Sequence, residues 1–437
     1  MALLAASGRE QSDLSGVIHL TRAGMIRYVN YMALRCRRLN AMKFKSLSIS
    51  LVVICSCVLL TGCLGTSVAP KGWSGPVVFN GSIYVGAMDG HVAKFKLANL
   101  GTEDEVAKEQ WRYPDKSTAL TYFYGSTTIV NDYLYIGGYN GKIYAIKDIY
   151  DPEDNTFSSV WKWEFPSSSN EFKGSFVGDS VTYNGVLYIG SSDQKLYALN
   201  ISDNDELSDD DRLLWSYKTG GKIWSTPVVY NGTVYIGSFD HKIYALDALT
   251  GDPKWTEPFE TGGAIVGTPI IYNDAIYFGS LDQKFYAVDI ATGALKEGFT
   301  PFKVDNWFWG KAVEYNGSII AASLGGKVYS LDAESGSKLW ESTAKIGSIR
   351  GNPVLVDDLV IVGTDEGNNT GKVYCLNADS GELVWEYPSE GSPIPSAVRA
   401  SIASDHGVVY VHANQKIYAI NATTGKISWT TSTGGGE

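Results

Sequence analysis

The chain has 437 residues and a formal net charge of −11. Residues 1–62 hold eight basic and two acidic residues, leaving 28 basic against 45 acidic in the remainder, a net of −17. That acidity argues against a nucleic-acid backbone as partner, and the length exceeds one ordinary hydrophobic core unless repeated units close into a ring.

The N-terminal part carries an address. Met42-Lys43-Phe44-Lys45 is a short basic region, and Leu47 to Leu60 is an apolar run too short to span a bilayer as a helix. Leu60-Thr61-Gly62-Cys63 follows directly and resembles the bacterial lipoprotein lipobox. The resemblance implies a signal peptide over 42–62, cleavage before Cys63 and lipidation of Cys63. Residues 1–41 precede this signal and are expected to be a non-native or disordered extension, with the working start at Met42. Leu64 supplies no acidic inner-membrane retention signal. With Cys55 and Cys57 lost in the signal and Cys63 acylated, Cys375 is the one thiol of the mature body, so no internal disulfide is expected. Residues 63–72 read as a linker, and 431–437 as a flexible tail.

Between these ends one phrase recurs. Tyr230-Asn-Gly-Thr-Val-Tyr-Ile-Gly-Ser-Phe-Asp-His-Lys-Ile-Tyr-Ala-Leu-Asp247 is repeated at Tyr183 to Asn200, Tyr272 to Asp289 and Tyr315 to Asp332. Worn copies begin at Phe79, Val130, Val356 and Asp405. The closing aromatics are Phe95, Tyr144, Tyr197, Tyr244, Tyr286, Tyr329, Tyr374 and Tyr418, a period of roughly 42 to 53 residues. Each copy is apolar and β-branched in strand pattern. Asn-Gly pairs at 80–81, 184–185, 231–232 and 316–317 suit a type I′ hairpin turn between the first two strands. Asp-Gln-Lys or Asp-His-Lys punctuates the second turn, and Thr-Gly or Ser-Gly the third. Four strands and three tight turns make one antiparallel blade, so residues 73–430 are expected to form an all-β, eight-bladed propeller. The chain starts on an inner strand and ends on an outer one, which leaves the closure of the ring open.

The third turn carries Ala245-Leu-Asp-Ala-Leu-Thr-Gly251-Asp-Pro-Lys-Trp255, with the same spacing at Ser330 to Trp340, Cys375 to Trp385 and Ala419 to Trp429. This resembles the tryptophan-docking motif of quinoprotein-type propellers, the PQQ repeat. The resemblance covers about 73–430 and implies that Trp111, Trp163, Trp215, Trp255, Trp340, Trp385 and Trp429 form a structural girdle between blades. Burying one indole stabilises by at most roughly 4–6 kcal/mol. The fifth copy has Glu297 where the tryptophan belongs. Acidic insertions lengthen the turns before Trp111, Trp163 and Trp215; the one over Asp203 to Asp211 lacks the glycine and closing glutamate of a calcium loop.

The resemblance raises an enzyme, a quinone-dependent dehydrogenase with a planar cofactor on an aromatic floor and calcium held by carboxylates. The adjacent cysteines many such enzymes carry are absent, and no cofactor is expected. His91, His241, His406 and His412 make no metal motif, His91 and His241 reading as second-turn variants, and no nucleophile elbow or phosphate loop exists. Cys375 takes the small Ala slot of the repeat. No catalytic or metal residue is therefore named. The chain is also similar in layout to the BamB-type lipoproteins, propeller scaffolds of outer-membrane protein assembly. By that resemblance it is expected to be a monomeric, non-catalytic propeller, anchored by its N-terminal lipid and binding a protein partner in the envelope. It would face the periplasm from the outer membrane in a diderm host, or lie on the cell surface in a monoderm. A surface receptor for carbohydrate or peptide stays as an alternative.

Aligning the inner-strand lead-ins on Thr226-Pro227 gives one equivalent residue per blade, three positions before the proline: Trp73, Tyr124, Val177, Trp224, Val266, Trp309, Arg350 and Arg399. Aromatics plus arginine match an interaction hot spot, though indoles there can also plug the channel as core. Blades seven, eight and one would cluster Arg350, Arg399 and Trp73, with Phe308, Trp307, Tyr122, Phe123 and Phe172 thickening the rim. Lys142, Lys195, Lys242, Lys284, Lys327, Lys372 and Lys416 all follow the second turn and are expected to face solvent, protecting a strand end.

Overall fold

The computed structural model describes residues 72–434 except 103, 115–118, 168–173, 203–206, 209, 345 and 392. Cys63, the signal at 42–62, the 1–41 extension, Phe172 and most of the 203–211 insertion lie outside the described residues. The described strands form eight four-stranded antiparallel sheets spanning 77–113, 128–165, 181–218, 228–260, 270–303, 313–341, 354–387 and 403–432. These are blades 1 to 8. Each is built from four consecutive strands, so no blade is shared between the two chain ends.

The middle strands are apolar on both faces because each blade is sandwiched between two others. In Thr233–Gly237 four of five residues are buried, as are four of six in Lys242–Asp247. The core is accordingly divided into eight wedges, each joining two neighbouring blades. The last joins Ile83, Val85 and Phe95 of blade 1 to Tyr410, Ile417 and Ala419 of blade 8. That wedge closes the ring.

The turns are where the repeat is most constrained. Asn231 and Gly232 adopt φ of 48° and 72°, the left-handed pair of a type I′ turn. In the second turn an aspartate is pinned by the tyrosine four residues on. Asp193, Asp240 and Asp282 accept the hydroxyls of Tyr197, Tyr244 and Tyr286 at 2.5, 2.6 and 2.5 Å. The same carboxylates accept the amides of Lys195, Lys242 and Lys284. The repeated Asp and Tyr thus form a turn lock. The lysines between them are half-buried or exposed, and four of them (Lys142, Lys242, Lys327 and Lys372) ion-pair with outer-strand glutamates of their own blade.

The tryptophans stand at the blade boundaries. Trp215, Trp255, Trp340 and Trp385 donate their indole N–H to the carbonyls of Ala248, Ile290, Ala378 and Ala422 at 2.8–3.1 Å. Their rings lie on the third-turn glycine of the next blade. At Gly425, φ is +68° and a Cβ would fall 2.6 Å from the Trp385 ring. Trp163 is 1% exposed and is covered by the Arg212 guanidinium, 4.5 Å from its ring centre. Trp111 and Trp429 donate instead to carboxylates, Asp148 at 2.8 Å and Glu105 at 3.2 Å. At blade 5, Phe299 fills the place left by Glu297. It is 4% exposed, packs edge-on to Tyr277, and its ring lies 3.0 Å from a Cβ built on Gly336.

Three expectations need correction. Phe95 is not the repeat's closing aromatic. Strand pairing matches Val85 to Ala93, Tyr84 to Lys94 and Ile83 to Phe95, whereas blade 4 matches Ile236 to Tyr244, Tyr235 to Ala245 and Val234 to Leu246. Phe95 therefore holds the leucine place and Lys94 the alanine place, because hydrogen-bond register, not residue type, sets equivalence. In the same turn Gly90 (φ 88°), not His91, matches His241 (φ 73°). Residues 431–434 are not a free tail either: the last strand is Ile427–Ser432, and Thr433 is fully buried.

Thr433 is held where blade 8 meets blade 1. Its carbonyl accepts from Arg112 at 2.8 Å, and its hydroxyl lies 3.0 Å from His412 Nε2. His412 Nδ1 lies 2.8 Å from the Ser74 carbonyl. A carbonyl only accepts, so Nδ1 carries the proton and Nε2 accepts from Thr433. Burial lowers the His412 pKa, opposed in part by the Ser74 carbonyl and the charge of Asp89. The unfolded chain therefore takes up a proton below about pH 6.5 that the folded ring resists. Stability is full above that pH and falls as pH drops toward the folded pKa, by up to about 1.4 kcal/mol per pH unit. His412→Asn keeps an N–H for Ser74 without titrating. Urea unfolding between pH 7 and pH 5 should show a shallower decline for this variant; parallel declines would refute the assignment.

Candidate functional site: the axial mouth

The lead-in to each inner strand alternates its side chains. One residue packs between blades and the next turns to the axis. Phe123, Phe176, Ile223, Ile265, Phe308, Ile349 and Val398 are all at most 1% exposed. Phe123 and Phe308 sit against Gly86 and Gly279 of the preceding blade. They are core, so they do not join the rim as expected from sequence. The next residues, Trp73, Tyr124, Val177, Trp224, Val266, Trp309, Arg350 and Arg399, converge on one axial cavity. Its wider part, about 300 Å³, is lined by all of these but Arg399, together with Tyr139.

Two aromatic groups flank this mouth. Trp73 meets Tyr124 edge-on at 4.5 Å, and Tyr139 lies 5.2 Å beyond. Across from them Trp224 packs on Phe239 at 4.7 Å and Trp309 at 6.3 Å, its indole N–H donating to Ser192 at 3.0 Å. Tyr139 and Phe239 were missed by the alignment of lead-ins. Both occupy the same second-turn position, and an aromatic at an otherwise polar turn was the available signal. Trp307 is 45% exposed.

The arginines diverge instead of clustering on Trp73. Arg399 lies 5.9 Å over Trp73, while Arg350 lies 5.6 Å over Trp309. Arg399 donates from Nε and NH2 to one oxygen of Asp365, at 3.0 and 2.7 Å. Burial would raise the Asp365 carboxyl, but the Arg399 guanidinium, the Gly367 amide and the charge of Arg350 outweigh it and hold the group below the usual range. Arg350 Nε is buried and has no hydrogen-bond acceptor among the described residues. Asp365, missed in the sequence, is the carboxylate that compensates Arg399.

Two residues further along the lead-ins, polar contacts link some neighbouring blades. Ser126 N–H donates to Asp179 at 2.6 Å, Asp179 N–H to Thr226 at 3.0 Å, and Lys311 N–H to Asn352 at 2.7 Å. Asp179 is half-buried where the channel narrows, and desolvation holds its carboxyl above the usual range, against the Ser126 bonds and the charge of Lys311. Among the described residues no three His, Cys, Asp or Glu are placed to hold a metal ion. Burial pushes the Cys375 thiol up to about 12, so this fully buried group is no nucleophile at neutral pH.

Eight four-stranded blades docked through tryptophans around an axial mouth define a quinoprotein-type β-propeller. The family model for outer membrane protein assembly factor BamB matches residues 150–300 and 302–437. The chain belongs to this BamB-like family of PQQ-repeat propellers. Among solved structures it is similar to BamB from Moraxella catarrhalis, at 20% identity and TM-score 0.56, covering 80% of this chain and 91% of that one. The computationally designed Ika8 protein gives 12% identity and TM-score 0.59, covering 82% and 95%. A europium-containing methanol dehydrogenase gives 13% and 0.54, covering 70% and 77%. At these identities the likenesses show the fold alone. No curated protein matches the sequence.

Proposed function

We propose that this chain is a non-catalytic, lipid-anchored envelope protein that binds other proteins through the mouth of its propeller, with outer-membrane protein assembly as the specific setting. Membership of a family described as an assembly factor supports the setting. The anchor rests on the Cys63 lipobox; among the described residues no helix is long and apolar enough to cross a membrane. The observation that carries the reading is the mouth itself: four large aromatics and two arginines on one axial cavity, which the repeat's own packing does not demand.

Affinity capture from detergent-solubilised envelope tests this. Arg350→Ala with Arg399→Ala should lower partner recovery at least about tenfold, with the melting curve showing a folded protein. Unaltered recovery would remove the mouth from the reading. Intact mass of the same preparation reports the acyl chains on Cys63.

The shared fold with a methanol dehydrogenase supports a second reading, a quinone enzyme. The donor set fits it poorly. Among the described residues that line the axial cavity the carboxylate is Asp179, which accepts the Ser126 amide, and nearby Asp365 is taken by Arg399. Titration with quinone and calcium, read by cofactor absorbance and dye reduction, separates the two. A carbohydrate receptor would instead bind free sugar at the same aromatics.

A further inference from the structure

Resting on the mouth as a binding site, we propose that what it recognises is a carboxylate on an apolar group, held by Arg350 against the Trp309 indole. The argument is one of charge and satisfaction. Two guanidinium groups face the cavity and one carboxylate answers them. Asp365 gives its Oδ2 to both donors of Arg399, so that pair is complete. Among the described residues Arg350 keeps a buried Nε without an acceptor, and an unmade bond on a buried charged donor is costly until something supplies an oxygen.

The excess of positive charge is local, since the body after residue 62 carries −17. The Arg350 guanidinium lies 5.6 Å from the Trp309 ring centre, and a planar guanidinium donates in its own plane, the geometry carboxylates accept. Trp224 provides an apolar wall beside it. A volume of about 300 Å³ lies at the small end of the ~300–1,000 Å³ range for ligand sites. It admits one side chain with its carboxylate, not a folded element.

Such a carboxylate comes from a chain end or from an Asp or Glu side chain, and calorimetry on the full chain distinguishes them. The probes are N-acetyl-phenylalanine against its amide, then acetyl-Gly-Gly-Phe with a free carboxylate against acetyl-Gly-Glu-Phe-amide. Free N-acetyl-phenylalanine should bind at least about tenfold more tightly than the amide, weaken with salt, and lose at least about tenfold in Arg350→Gln. Asp365→Asn frees Arg399 and should tighten binding a few-fold, a gain that misfolding cannot imitate. Equal binding of the amide, no effect of Arg350→Gln, or no heat at millimolar probe would each overturn the proposal. Should the double alanine variant lose its envelope partner while no carboxylate binds, the protein-binding mouth stands and the carboxylate assignment falls. The reverse pattern keeps the site and removes it from partner binding.

Discussion

Lys94→Ala is expected to cost about 3–5 kcal/mol of stability, while Lys94→Ala combined with Asp148→Ala costs much less. Lys94 is 2% exposed and ion-pairs with Asp148 across the boundary of blades 1 and 2. The same carboxylate takes the Tyr84 hydroxyl and the Trp111 indole, both at 2.8 Å. Lys94 also lies 3.6 Å over the Phe157 ring. Removing the lysine alone leaves a buried carboxylate with only neutral donors. Removing both charges restores the solution used at the next boundary but one. There Tyr188 and Trp215 donate to the Ala248 main-chain carbonyl at 2.8 and 3.1 Å, and Ala198 occupies the lysine's place. With alanine at 148, Tyr84 and Trp111 have the corresponding carbonyl to turn to. Urea unfolding of the two single variants and the double should give a coupling of at least about 2 kcal/mol. Additive losses, or a Lys94→Ala loss below 1 kcal/mol, would show that the pair does not hold this boundary.

Glu105→Ala should destabilise the ring by about 3 kcal/mol, and do so at one boundary. Glu105 is 1% exposed and seals blade 8 to blade 1. One oxygen accepts the Tyr410 hydroxyl at 2.9 Å and the Trp429 indole at 3.2 Å; the other accepts the Gly101 amide at 2.8 Å. Alanine strands three donors that water reaches poorly. Among the described residues no strand crosses this boundary, so its side chains and the His412 clasp hold it. Glu105→Gln preserves an acceptor for Tyr410 and Trp429 and should cost about 1 kcal/mol. Hydrogen exchange should quicken in 403–432 and 77–113 ahead of the other blades. Uniform acceleration around the ring would mean that Glu105 does not act as the seal.

The sequence was readable wherever a blade solves its problem by itself. The Asn-Gly turns, the second-turn Asp-Gln-Lys or Asp-His-Lys and the docking tryptophans are spaced within one repeat, so the blade number and strand order followed from spacing alone. The rim positions were readable too, because each lead-in turns the same residue to the axis. Where a copy departs from the pattern, residue type misled: Phe95 was taken for the closing aromatic, and Phe299 went unnoticed as the stand-in at Glu297.

By itself, then, the amino-acid order determined an all-β ring of eight blades and the ring of side chains at its axis. Only the tertiary structure decided what those side chains do to one another. Arg399 found Asp365 from a neighbouring blade's turn, Arg350 was left over Trp309, and Lys94 met Asp148 fifty-four positions away. Glu105 met Tyr410 across 305 positions. The reason is physical: turn and strand preferences act within a few residues, whereas charge compensation and ring closure depend on which blades stand side by side.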